Sequence, residues 1–102
     1  KRWIISSLSS SARIYIDQGA SKALKSGKSL LPAGITKIAG NFKKGDNIII
    51  VDDNNADIAR ALSSFTSEEI NKIKGLQSNE IENILGYASK SEIVHKDDIV
   101  IL

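Results

Sequence analysis

The run Ile48-Ile49-Ile50-Val51, with NFKKGD before it and DDNNAD after it, limits what this chain can fold into more than any other feature. Four consecutive aliphatic residues between two turn formers suit a short strand buried on both faces. Asp and Asn tolerate left-handed backbone and bond their own main chain, so DDNNAD closes a hairpin onto a second strand, Ile58 to Ser63. Strands this short need partners, and the rest of the chain has to supply them.

It does so in equally short pieces. Arg13-Ile14-Tyr15-Ile16 is a β-type run with Ile14 and Ile16 on one face, broken by Asp17 and Gly19. Ala20, Ala23 and Leu24 have the spacing of one helical face, and Gly27 stops that helix. Pro32 and Gly34 bend the chain into a strand over ITKIA, which Gly40 ends. Thr66 with Glu69 three residues on forms a capping box, so a helix starts at Ser67, turns Ile70 and Ile73 inward and stops at Gly75. A further helix runs from about Ser78, with Ile81, Ile84 and Leu85 as its buried stripe. Asp98 to Leu102 reads as a closing strand. Five or six short strands with three short helices favour a small, mainly β, barrel-like α+β module over a layered parallel sheet.

A chain of 102 residues is one domain, long enough for one core without staples. With no cysteine it has neither disulfides nor a thiolate metal site, in keeping with a reducing, cytoplasmic setting. No apolar run is long enough to span a membrane. The chain contains no methionine and begins KRW, which reads as a piece of a longer protein. Residues 1–11, with five serines over 6–11, read as the linker from that missing part, and 12–102 as the domain.

Charge is uneven. Residues 1–45 carry nine Lys/Arg against Asp17 alone, residues 46–102 carry five against eleven acids, and the whole nets +2. Lys22, Lys25, Lys28, Lys37, Lys43 and Lys44 fall in a window, 18–45, with no acid. Four to six of them meeting phosphates would give a log–log salt slope of about −3 to −4 on a single strand. Folding can equally disperse them over the surface.

Reaction chemistry is thin. His95 is the sole histidine, and in an extended segment Asp97 and Asp98 would point to opposite faces, which favours a structural or surface histidine over a catalytic one. Asp52, Asp53 and Asp57 lack the EF-hand spacing and read as a turn. Glu68, Glu69, Glu80 and Glu82 mark helix starts. SGKS at 26–29 ends like a phosphate loop, but the position that needs the upstream glycine is Lys22.

In order, RIYIDQGASKAL, SLLPAGI, GNFKKGD, TSEEINKIKG, SNEIENILGY and VHKDDIVIL resemble the C-terminal PUA domain of bacterial glutamate 5-kinases over nearly the whole chain. Ala61, Phe65 and Lys96 depart from residues common in that family. The resemblance implies a PUA-type pseudo-barrel of about six short strands with two to three short helices. It implies an N-terminal amino-acid-kinase domain in the same chain, cytoplasmic and homo-oligomeric, which uses ATP and Mg²⁺ to phosphorylate glutamate at the first step of proline synthesis. No catalytic, cofactor or metal position transfers to this piece. The expected role is therefore a non-catalytic module that tunes the kinase or its assembly. The alternative is RNA binding, as in the RNA-modifying relatives. The positions matching their RNA surface are Lys22, Lys25, Lys28, Leu31, Pro32, Ala33, Gly34 and Lys37.

Overall fold

The computed structural model describes residues 12–86 and 92–102, so the expected linker over 1–11 lies outside the described residues. Five strands form one sheet: β1 Arg13–Ile16, β2 Ile35–Ala39, β3 Asn47–Val51, β4 Asp57–Leu62 and β5 Ile99–Ile101, in the order β2-β1-β3-β4-β5. Neighbours are antiparallel except β1 and β3, which run parallel with Ile14 beside Ile50. Three short helices, α1 Gln18–Lys25, α2 Ser67–Ile73 and α3 Ile81–Leu85, complete the mixed, mainly β module.

In place of a sixth strand, an isolated antiparallel bridge joins Leu30 and Val94. Leu30 donates to the Val94 carbonyl at 3.0 Å, and Ile93 donates to the Leu30 carbonyl at 2.8 Å. Pairing stops there because Pro32 opens a 3-10 turn on one side and His95 caps another on the other. The bridge ties the chain leading into β2 to the chain leading into β5, the two ends of the sheet, and so draws the sheet toward the closure of a pseudo-barrel.

Alternation fixes which face is core. Ile14 and Ile16 of β1, Ile48 and Ile50 of β3, and Ala59 and Ala61 of β4 are buried together with Leu24, Phe65, Ile70 and Ile73. The expectation that the IIIV run is buried on both faces holds only at its end. Ile49 is half-buried on the outer face, whereas Val51 is buried without joining the core cluster that holds Ile48 and Ile50. The register shift beside it leaves Ile58 of β4 as the extra residue, so Ile58 and Ala59 are buried in succession. The stripe assigned to α3 also narrows: Ile81 is buried, Leu85 is partly so, and Ile84 is 47% exposed. A five-residue helix makes less than two turns, so one side chain anchors it.

The local signals act as their chemistry requires. The Thr66 side chain accepts the Glu69 N–H at 3.1 Å, and the Glu69 carboxylate accepts the Thr66 N–H at 2.8 Å. Asp52 Oδ1 accepts the N–H groups of Asn54 and Ala56, both at 2.9 Å, which makes DDNNAD a self-bonded turn. Asp57 instead pairs with Arg13 at 2.7 Å. Ser63 Oγ donates to the Phe65 carbonyl at 2.6 Å and holds that ring over the core.

Candidate functional site

Helix α1 begins where Asp17 accepts the Ala20 N–H at 2.8 Å. Its inner face buries Ser21 and Leu24, which leaves Lys22 and Lys25 in the last turn, exposed and favourable to the helix dipole. The helix ends in a Schellman arrangement: Lys28 N–H reaches the Ala23 carbonyl and Gly27 N–H the Leu24 carbonyl, both at 3.0 Å, with Gly27 at φ +86°.

The loop that follows is held on four sides. Leu30 is bridged to Val94, and Ser29 Oγ accepts the Lys96 N–H at 2.9 Å. The Pro32 carbonyl accepts from Gly75 N–H at 2.7 Å, and the Gly34 carbonyl accepts from Asp17 N–H at 2.9 Å. Gly34 packs so tightly on α1 that a Cβ there would lie 2.5 Å from the Ala20 Cβ. Between helix and loop lies an open groove of about 270 Å³, floored by Gly19, Ala20, Ala23 and Gly34 and walled by Leu31 and Ala33. Most of the lining residues are small, so a ligand can approach main chain along the floor.

The structure separates the positions assigned from sequence. Leu31, Ala33 and Gly34 line the groove. Pro32 is buried and is not among the groove's lining residues. Lys22, Lys25 and Lys28 are exposed but are not among the groove's lining residues. Lys37 is not among the groove's lining residues: its ammonium lies 4.5 Å from the centre of the Tyr15 ring, in a second depression that meets the groove at Asp17 and is lined also by Asp52 and Asp53. Ser29 and Asp17 belong to the groove and were not singled out, because only the folded loop brings them to it.

His95 Nδ1 accepts the Asp97 N–H at 3.1 Å and caps a 3-10 turn over Lys96–Asp98, a segment read from sequence as extended. Among the described residues no group of three or more His, Asp or Glu is placed to hold a metal ion. Among the described residues, no helix is long and apolar enough to cross a membrane.

The model of the PUA domain family matches residues 12–85, a span that includes the groove and its clamps. This chain is a PUA domain. Among solved structures it is similar to a PUA domain from Aeropyrum pernix K1 in a tartrate complex, with a TM-score of 0.63 at 16% identity over 83% of this chain and 41% of that one. It is also similar to a chain of the archaeal box H/ACA sRNP Nop10-Cbf5 complex, with a TM-score of 0.58 at 21% identity over 89% of this chain and 23% of that one. Among curated proteins, the glutamate 5-kinase of Pelagibacter ubique (strain HTCC1062) is 60% identical over 98% of this PUA domain and 27% of its own length. That of Bartonella henselae is 50% identical over 99% and 27% respectively. The chain thus spans about a quarter of the curated relatives it matches, and the match lies in their C-terminal region.

Proposed function

We propose that this PUA domain is the non-catalytic accessory module of a glutamate 5-kinase and modulates the kinase or its assembly. The observation that carries the reading is the 60% identity running across 98% of the chain while covering only 27% of a kinase. Similarity that high and that complete supports placing the module in such a protein. The small share leaves room elsewhere for the amino-acid-kinase domain that binds glutamate, ATP and Mg²⁺ and works in proline synthesis. The groove and its four-sided clamp offer that domain, or another copy of it in a cytoplasmic homo-oligomer, a preformed contact surface rather than a reaction centre.

The test compares the parent kinase with and without residues 12–102. Rate, Mg²⁺ dependence and inhibition by proline are measured on both, together with sedimentation. The expected result is a working kinase whose metal dependence, proline response or assembly is altered. Unchanged behaviour in all of these contradicts the reading.

One observation favours RNA as a second reading: Lys22, Lys25 and Lys28 stand exposed on α1 and the turn that ends it, beside a groove open to main chain. With three phosphates met, affinity for a short single strand falls with salt at a log–log slope of about −2. The joint charge reversal Lys25→Glu, Lys28→Glu abolishes binding. A slope near zero, or no effect of the reversal, removes this reading.

A further inference from the structure

Val100 and Leu102 are the most exposed large apolar residues in the described chain, at 64% and 65%, and Ile101 between them is 46% exposed. They sit on and just past β5, the end strand of the sheet, whose far side pairs with no other strand among the described residues. In the β4–β5 register Val100 opposes Arg60 and Ile101 opposes Ala59, while Leu102 donates its N–H to the Ile58 carbonyl at 3.0 Å. Bonded and non-bonded pairs alternate along an antiparallel ladder. Val100 and Leu102 therefore direct their main-chain groups toward β4, and those of Ile101 point away from the sheet together with the Ile99 carbonyl. The Ile99 N–H is already taken by the Lys96 carbonyl. The edge presents an acceptor at Ile99 and a donor and an acceptor at Ile101. Apart from being short, it lacks the usual protection: no proline, no bulge in its ladder and no charged side chain from Ile99 to Leu102.

We propose that β5 receives an added strand, an extended segment of a partner protein that alternates apolar with acidic side chains. Arg60 sets the charge. It lies opposite Val100 on the outer face, is exposed, and forms no ion pair among the described residues. Strands lie about 4.8 Å apart, so the residue beside Val100 on an added strand has its Cα about 10 Å from that of Arg60. Arginine and glutamate span that distance over the short valine side chain. The alternate side chains of the guest then cover Ile101 on the opposite face. Two copies of this chain pairing β5 to β5 place Arg60 of each on the same face with no acid between them, which selects against self-pairing. An RNA strand finds only aliphatic side chains on β5 and no ring to stack on. This surface is separate from the groove beside α1, and the inference stands whether or not the domain modulates a kinase.

The test uses the 102-residue chain and two acetylated nine-residue peptides, one alternating Val with Glu and the other Val with Lys. The glutamate peptide binds at least tenfold more tightly and slows exchange of the Ile101 amide proton at least tenfold. Arg60→Glu reverses the preference, and Arg60→Gln equalises the two peptides. Both substitutions are at an exposed position, and circular dichroism confirms that the fold is kept. Equal binding of the two peptides by the unaltered chain, or an Ile101 exchange rate indifferent to saturating peptide, overturns the proposal. So does protection of Ile101 that rises with protein concentration alone, which signals a second copy, or stronger protection by a nine-nucleotide oligouridine.

Discussion

Phe65→Ala lowers the stability of this domain by about 3–5 kcal/mol, the range for removing a fully buried ring from a packed core. Phe65 is 1% exposed and packs in the core cluster with Ile70, Ile73 and the strand isoleucines. It cannot be replaced by local collapse, because its main chain is fixed on both sides. Its carbonyl accepts from Ser63 Oγ at 2.6 Å, its N–H donates to the same oxygen at 3.2 Å, and Thr66 next to it caps α2. A domain of this size has a net stability of only about 5–15 kcal/mol, and each kcal/mol moves Tm by about 4–8 °C. Thermal unfolding followed by circular dichroism is expected to show Tm falling by more than about 12 °C. A shift below about 4 °C contradicts the packing described here.

Gly34→Ala is the second large effect, and it acts through a single added methyl group. That carbon would lie 2.5 Å from the Ala20 Cβ, closer than two carbons can pack. Ala20 cannot retreat freely, since its N–H is held by the Asp17 carboxylate while the Asp17 N–H holds the Gly34 carbonyl. Overpacking of this kind costs about 1–3 kcal/mol. The double substitution Ala20→Gly, Gly34→Ala restores space, so its cost is expected to fall below the sum of the two singles by more than about 0.5 kcal/mol. Strict additivity in denaturant unfolding contradicts the contact. The same substitution narrows the groove, so the effect on any groove ligand exceeds the effect on stability alone.

Much of this was legible in the sequence because it is written in local chemistry. Thr66 and Glu69 announce the start of α2 through a reciprocal pair of bonds three residues apart, and the structure contains both. Asp52 announces its turn through a side chain that can reach only its near neighbours. What sequence could not show depends on residues far apart in the chain. The burial of both Ile58 and Ala59, neighbours on β4, follows from a register shift against β3. The need for glycine at 34 comes from the approach of α1, not from a left-handed backbone, since it is absent from the positive-φ residues. The lysine-rich window looked like one surface because its members are near in sequence. In the fold Lys37 leaves on β2 to cover Tyr15, beside Asp52 and Asp53, while Lys22 and Lys25 stay on α1. The order of the motifs was specific enough to imply the PUA family, and the family match over 12–85 agrees with it.

The reading of the groove depends on the segment from Ser29 to Gly34 being a surface formed before any partner arrives. Native-state amide exchange on the isolated chain tests this most directly, at the clamp donors Asp17, Leu30, Gly75 and Ile93. The account predicts that all four exchange only through global unfolding, with opening free energies equal to those of the core amides Ile50 and Ala59. Fast exchange at these four positions, with the core amides still protected, contradicts it.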